Sequence, residues 1–288
     1  MGGMGNVLVG FCYAVLLVAT GESVPASLTA NEHHWGRFLP NSWRIVQTVT
    51  ISSIEGRVVQ STQTVRTTLQ SVDEGSVSLL EEETLELGGK IVRKIPQTVR
   101  YDFYNEPIME KSSQDKVKVR QGPPDKLMLD RKVVPCSVRI YEQQTSGGIL
   151  TTTIWYTPHV YPYVLRVEKV LQSLPEGDNA GGQIIRQSVT LVQETSALKA
   201  LRGVRRNRTY TLQTVEKSGN ITRITDARCS WDRPGGLLES TTREVNAQNV
   251  EIRRSVTRMT NYFSHETFLT QPYYRNLVVP VVPVETMQ

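Results

Sequence analysis

Four histidines, His33, His34, His159 and His265, are the side chains of this 288-residue chain best suited to proton transfer or metal capture, and only the first two are adjacent. Next to Glu32 they offer two nitrogens and a carboxylate, enough to hold a metal weakly; the competing reading is a solvated, flexible chain end. Glu81, Glu82 and Glu83 are consecutive. In a strand, neighbouring side chains point to opposite faces, so the three cannot converge on one proton or ion. They read as a wet sheet face or edge. The chain has no G-x-S-x-G elbow, phosphate-cradling glycine loop, H-E-x-x-H or paired C-x-x-C, so the common hydrolase, nucleotide and zinc signatures are missing. The expectation is a protein that is not an enzyme and uses no cofactor or metal.

The densest aromatic composition is Trp155-Tyr156-Thr157-Pro158-His159-Val160-Tyr161-Pro162-Tyr163. Aromatic rings on a proline-stiffened connection present large apolar area at low entropic cost and can line a ligand mouth; they can equally plug the end of a sheet. Alternation sends Trp155 and Tyr156 to opposite faces, so only one of them can serve a given pocket. Trp155, Tyr161 and Tyr163 are the candidate ligand-binding residues, with Trp155 expected mainly in the core and Tyr161 or Tyr163 nearer the rim. Two further residues invite chemistry, Cys136 and Cys229. Each lies on an apolar alternation, Val134, Cys136, Val138, Ile140 and Ala227, Cys229, Trp231, so both thiols are expected to point inward. Free core cysteines are the leading reading and a single disulfide the alternative. Asn207-Arg208-Thr209 and Asn220-Ile221-Thr222 match the glycosylation acceptor pattern, which matters only in a eukaryotic secretory pathway.

The elements that must position these residues are strands. From 43 to 263 the chain is a succession of Thr- and Val-rich runs separated by Gly, Asp or Asn turns. Val250, Ile252, Arg254 and Val256 alternate with Glu251, Arg253, Ser255 and Thr257, a period of two that places each set on one face. The pattern predicts strands at 43–53, 57–70, 76–87, 91–103, 133–143, 148–157, 163–172, 183–194, 208–217, 220–231, 236–246 and 250–263. Turns such as Gly88-Gly89, Gly147-Gly148 and Ser218-Gly219-Asn220 supply the positive φ that tight hairpins need, so the fold class is all-β, an antiparallel meander. Two segments break the rhythm: a polar stretch at 111–130, and 196–208 with a helix-like run at 197–201.

The start of the chain speaks to compartment. Residues 7–19 form an unbroken apolar run of signal-peptide length, too short to span a bilayer, and no Lys or Arg precedes it. Residues 1–21 are read as a signal peptide, giving a periplasmic or secreted protein with no transmembrane span after processing. The formal net charge is +5. Its one concentrated basic stretch, Arg202, Arg205, Arg206 and Arg208, has no interleaved aromatics for stacking bases, so nucleic acid is not expected as a partner. The tail at 264–288 contains Val278, Val279, Pro280, Val281, Val282, Pro283 and Val284; proline excludes it from a central strand and leaves an extended packing strap or a partner-docking segment.

Three stretches carry a resemblance. His34-Trp35-Gly36-Arg37-Phe38 with Ser42-Trp43 resembles the opening of uncharacterised exported proteins of planctomycete-type bacteria. Val134-Pro135-Cys136, Thr153-Ile154-Trp155-Tyr156-Thr157-Pro158 and Pro162-Tyr163-Val164-Leu165-Arg166 resemble the middle of those proteins and of periplasmic families with the LolA-like half-barrel of lipoprotein carriers. Pro234-Gly235-Gly236 and Asn261-Tyr262 are similar to their close. The resemblance implies a strongly curved sheet or half-barrel over 35–195, with 208–263 as a four-stranded extension or second small sheet. It also implies a carrier for an apolar or lipid-like ligand; the alternative is a structural or protein-interaction component of the bacterial cell envelope with a filled core.

Overall fold

The computed structural model describes residues 27–54, 57–108, 117–174, 182–196 and 208–264. The apolar run at 7–19, the helix-like run at 197–201, Arg202, Arg205, Arg206, Asn207, His265 and the proline-punctuated tail lie outside the described residues. Among the described residues the only helical element is a 3-10 turn at Ala30–Glu32; the rest of the regular structure is strand: β1 Trp43–Ile54, β2 Arg57–Val72, β3 Ser76–Leu87, β4 Lys90–Arg93, β5 Gln97–Asp102, β6 Val117–Leu129, β7 Lys132–Thr145, β8 Gly148–Tyr156, β9 Val164–Gln172, β10 Ile184–Thr195, β11 Thr209–Ser218, β12 Ile221–Ser230, β13 Leu237–Val245 and β14 Glu251–Phe263. β-branched residues are frequent in most of these runs, which suits side chains that stand off a pleated surface.

All fourteen strands join one antiparallel sheet in the order β4-β3-β2-β1-β14-β13-β12-β11-β10-β9-β8-β7-β6, with β5 beside β4 on β3. The meander therefore returns on itself: β14 pairs with β1 from Trp43↔Phe263 to Ser52↔Arg253. The last four strands belong to this same sheet, between β1 and β10.

The sheet is strongly curled. Leu69 of β2 and Val77 and Leu79 of β3 share one apolar cluster with Tyr141 of β7 and Ile154 and Tyr156 of β8. In a flat sheet the nine strand spacings from β3 to β8 would hold these groups about 43 Å apart. They meet because the sheet bends around Leu28, Trp35 and Phe38 of the N-terminal segment and Phe103 and Tyr104 after β5. Polar contacts clasp the two wings as well. The Tyr141 hydroxyl donates to Asp102 at 2.5 Å, the Arg139 guanidinium lies 4.6 Å from the Tyr104 ring centre, and Lys169 pairs with Glu106 at 2.9 Å. A second cluster, on the other side of β7 and β8, holds Leu127, Leu129, Val134, Cys136, Val138, Ile140, Trp155, Val160, Leu165 and Val192. Trp155 and Tyr156 thus fall in different clusters, as strand alternation requires.

Three expectations are corrected. The polar stretch at 111–130 is not a linker throughout, since β6 begins at Val117. Its period is broken by a bulge between Gly122 and Asp125 that accommodates Pro123 and Pro124, and an edge strand tolerates prolines because its outer N–H groups need no ladder partner. The run at 91–103 is two strands, β4 and β5, separated by Lys94-Ile95-Pro96. The histidine pair does not lie in a solvated end: His33 is 1% exposed. Thr29 and Glu32 form a capping box that starts the 3-10 turn and folds the chain back into the curl.

Candidate functional site

The inner face of the curl is concave, and the register shows what lines it. On β1 it carries Arg44, Val46, Thr48 and Thr50. Arg44 is opposite Thr67 of β2, which is opposite Glu81 of β3. This end is filled: Trp35 and Phe38 are buried there, the Arg44 guanidinium lies 5.4 Å from the Trp35 ring centre, and its Nη1 donates to the Gly235 carbonyl at 2.7 Å. His34 stacks on Tyr210 and meets Trp231 edge-on at 5.0 Å between centroids. Gly236, at φ 75°, packs close to both: a Cβ there would come within 3.1 Å of His34 Nδ1 and the Tyr210 hydroxyl.

Further along the strands the inner face becomes hydroxylated. Ser61, Thr50, Ser255, Thr242, Thr225, Thr214 and Thr190 stand on one rung of seven neighbouring strands, β2-β1-β14-β13-β12-β11-β10. Three cross-strand pairs on this rung, Thr50–Ser255, Thr225–Thr242 and Thr190–Thr214, are hydrogen-bonded at 2.9 Å. Thr48 and Thr257 bond at the same distance one rung nearer the plug. The rung beyond is charged and alternates in sign: Arg253–Glu244 at 3.8 Å, Arg223–Glu244 at 2.7 Å, Arg223–Glu216 at 3.5 Å, with Arg186–Glu216 at 2.8 Å alongside. Arg186, Glu216, Arg223 and Glu244 line a hollow of about 270 Å³ with Ser218 and Ile221. A second hollow, about 330 Å³, lies nearer the plug, with Val46 and Val65 on its floor and Arg44, Gln63, Thr67, Glu81, Glu83, Lys94, Ile95 and Gln97 around it.

The expected site residues are placed apart. Trp155 lies in the second cluster; its indole N–H donates to Asp125 Oδ2 at 2.8 Å, and Arg166 stacks over its ring at 4.5 Å. Tyr161 shares a hydrogen bond with the Ser196 hydroxyl, and its carbonyl accepts from Thr195 Oγ1 at 3.0 Å. Tyr163 packs edge-on against Trp231 at 5.0 Å, on the plug side. The structure brings Tyr163 to the inner cluster, keeps Trp155 on the other side of the sheet, and holds Tyr161 at the end of β10.

The buried cysteines and the paired histidines are not tuned as nucleophiles or bases. Burial pushes the Cys136 thiol up to about 12 and the Cys229 thiol up to about 11, so both stay protonated and unreactive; both are free and buried. Burial also lowers His33 to about 4, against a smaller opposing effect of Asn105. His34 falls to about 3, first through burial and then through His33, Arg44 and Arg37. Both are neutral imidazoles packed as core. His159 is exposed. Among the described residues no three His, Cys, Asp or Glu side chains gather as a metal site, and no helix is long and apolar enough to cross a membrane.

Arg44 and the hydroxyl rung were not legible as parts of a site, and Glu81 was legible only as part of a wet acidic run. The signal was present in the recurrence of Thr and Ser at every second position of several strands, but only the register shows that they align.

No family model matches the sequence, and no curated protein matches it. Among solved structures, a domain described as an outer membrane lipoprotein-sorting protein from Vibrio parahaemolyticus is similar over 78% of this chain and 85% of that one, at 8% identity and a TM-score of 0.25. A likeness this loose carries no argument about ligand or ancestry. What the fold and site define is a class by shape: a single curled antiparallel sheet, plugged at one end, with a hydroxyl- and charge-lined inner face.

Proposed function

We propose that this is an exported, non-catalytic binding or carrier module that takes an amphiphilic, lipid-like ligand on the inner face of its sheet. The observation that carries the reading is the hollow of about 330 Å³ beyond the plug, whose floor is Val46 and Val65 and whose walls are polar. Such a surface suits a molecule with an apolar part and a polar head better than a bare hydrocarbon, because an apolar chain alone would desolvate hydroxyls and charges without bonding them. The plug rigidifies the curl and leaves the remainder of the inner face half-buried. In this reading the aromatic connection contributes Tyr163 to the plug and Trp155 to stability.

The test is native mass spectrometry of the full chain purified gently from the envelope, paired with binding of an apolar fluorescent probe. A co-purifying lipid, and a probe affinity that falls when Val46 and Val65 are both replaced by Asp, support the reading. An empty protein whose probe affinity is unchanged in that variant would favour the structural alternative. That alternative has its own support in the sheet edges at β4, which is exposed throughout, and β6, each without a further strand beside it among the described residues.

A further inference from the structure

The hollow beside the plug contains two charges of opposite sign that do not meet each other. Lys94 and Glu83 pair at 2.7 Å, and Gln63 donates to the same carboxylate at 2.8 Å, so these two side chains are spent. Arg44 is not. Of the five hydrogen bonds a guanidinium can donate, it makes the one to Gly235. Its Nε is buried without a partner, and among the described residues it forms no ion pair. Glu81 likewise has no ion pair or hydrogen bond among the described residues, although it lines the same hollow. Arg44 is held toward the plug by the Trp35 face and the Gly235 carbonyl. Thr67 stands between Arg44 and Glu81 on their shared rung, which separates the two backbones by about 10 Å.

Arg44 and Glu81 attract each other across the hollow without forming a contact, so the remaining guanidinium donors and the carboxylate oxygens stay open to a bound group. One small group satisfies both, an anionic oxygen facing Arg44 joined by a short spacer to an ammonium facing Glu81. We infer that this hollow binds a zwitterionic phosphoethanolamine-type group, with the phosphate at Arg44 and the ammonium at Glu81. A simple anion would fit Arg44 but would leave Glu81 unpaired and repelling it. The inference rests on the binding-module reading and specifies the head group that such a ligand carries.

Isothermal titration of the full chain tests it with O-phosphoethanolamine, inorganic phosphate and ethanolamine as separate probes. The expected result is at least about tenfold tighter binding of phosphoethanolamine than of either fragment. Glu81→Gln should abolish the preference over phosphate, and Arg44→Lys, which keeps the charge but loses the planar donor set, should weaken phosphoethanolamine about tenfold or more. Circular dichroism and the urea midpoint verify that each variant is folded. If Arg44→Lys does not fold, the Glu81→Gln ratio decides alone. Phosphate binding as tightly as phosphoethanolamine, no binding of phosphoethanolamine, or an unchanged ratio in Glu81→Gln would each overturn the proposal. Lysophosphatidylethanolamine below its micellar concentration distinguishes the sources: tighter binding than the free head group identifies a lipid, equal binding a soluble molecule, and both uphold the site. Apolar-probe affinity on the same samples separates the two readings. Retained probe binding without head-group binding defeats this inference only, and the reverse defeats only the apolar-carrier reading.

Discussion

His33 and His34 make the plug sensitive to acid. In the unfolded chain each imidazole takes a proton near pH 6.5, whereas in the folded protein they do so only near about 4 and about 3. Between those values the unfolded state binds more protons, so stability is complete above about pH 6.5 and falls as the pH drops toward 4. For His33, which is 1% exposed, the full effect is about 3 kcal/mol. Urea midpoints measured near pH 7 and near pH 4.5 should show the loss, and His33→Asn, which keeps an acceptor for the Trp35 amide, should remove the His33 share of it and leave that of His34. A second test concerns Trp155. Its burial beneath β6 predicts a loss of about 3–5 kcal/mol for Trp155→Ala with unchanged apolar-probe affinity. A fall in affinity larger than the fall in stability would return Trp155 to the ligand site. The inward thiols were legible from alternation alone, and alkylation should modify the Cys136 and Cys229 peptides only after unfolding. Arg44 was not legible, because a single arginine at the start of a strand looks the same whether it meets solvent or a plug.

Strands were legible where glycine marked their ends. The β11–β12 hairpin turns at Gly219, φ 55°, and β3–β4 at Gly88 and Gly89. The β6–β7 hairpin turns instead through Asp130 and Arg131, both at positive φ, between the paired Leu129 and Lys132. With no glycine in the turn and a proline pair in the bulge, β6 looked like a polar linker. The bulge itself is tightly packed: a Cβ on Gly122 would approach Val138 Cγ1 to 2.8 Å. Gly122→Ala should therefore cost about 1–3 kcal/mol, and Val138→Ala in the same chain should recover part of that loss, read from paired denaturation curves. The hydroxyl rung is testable as pairs. A double-mutant cycle of Thr225→Val and Thr242→Val should give a coupling of about 0.5–1 kcal/mol, while Thr225 with the more distant Thr190 should give none.

Across the molecule, curvature depends on a few side chains at the plug. Trp35 and Phe38 are buried where the two wings converge, so Trp35→Ala with Phe38→Ala should release the wings before the centre. Hydrogen exchange should then accelerate in β3, β5, β7 and β8 while β11 to β14 keep their protection. Uniform loss of protection would mean that the sheet opens as one unit. Antiparallel meandering was readable from short turns, but the neighbour of β1 was not, since no local signal joins residue 43 to residue 263. That single pairing sets an order on the birth of the protein. A chain delivered amino end first completes β1 long before its partner β14 exists, and one rim of the early hairpins stays open for more than two hundred residues. Such a rim is a template for the wrong strand. The protein is therefore most vulnerable during its own synthesis, and a version permuted to begin at β6, with β14 linked to β1 through residues 27–42 so that Trp35 and Phe38 are kept, should reach its native state faster at little change in final stability.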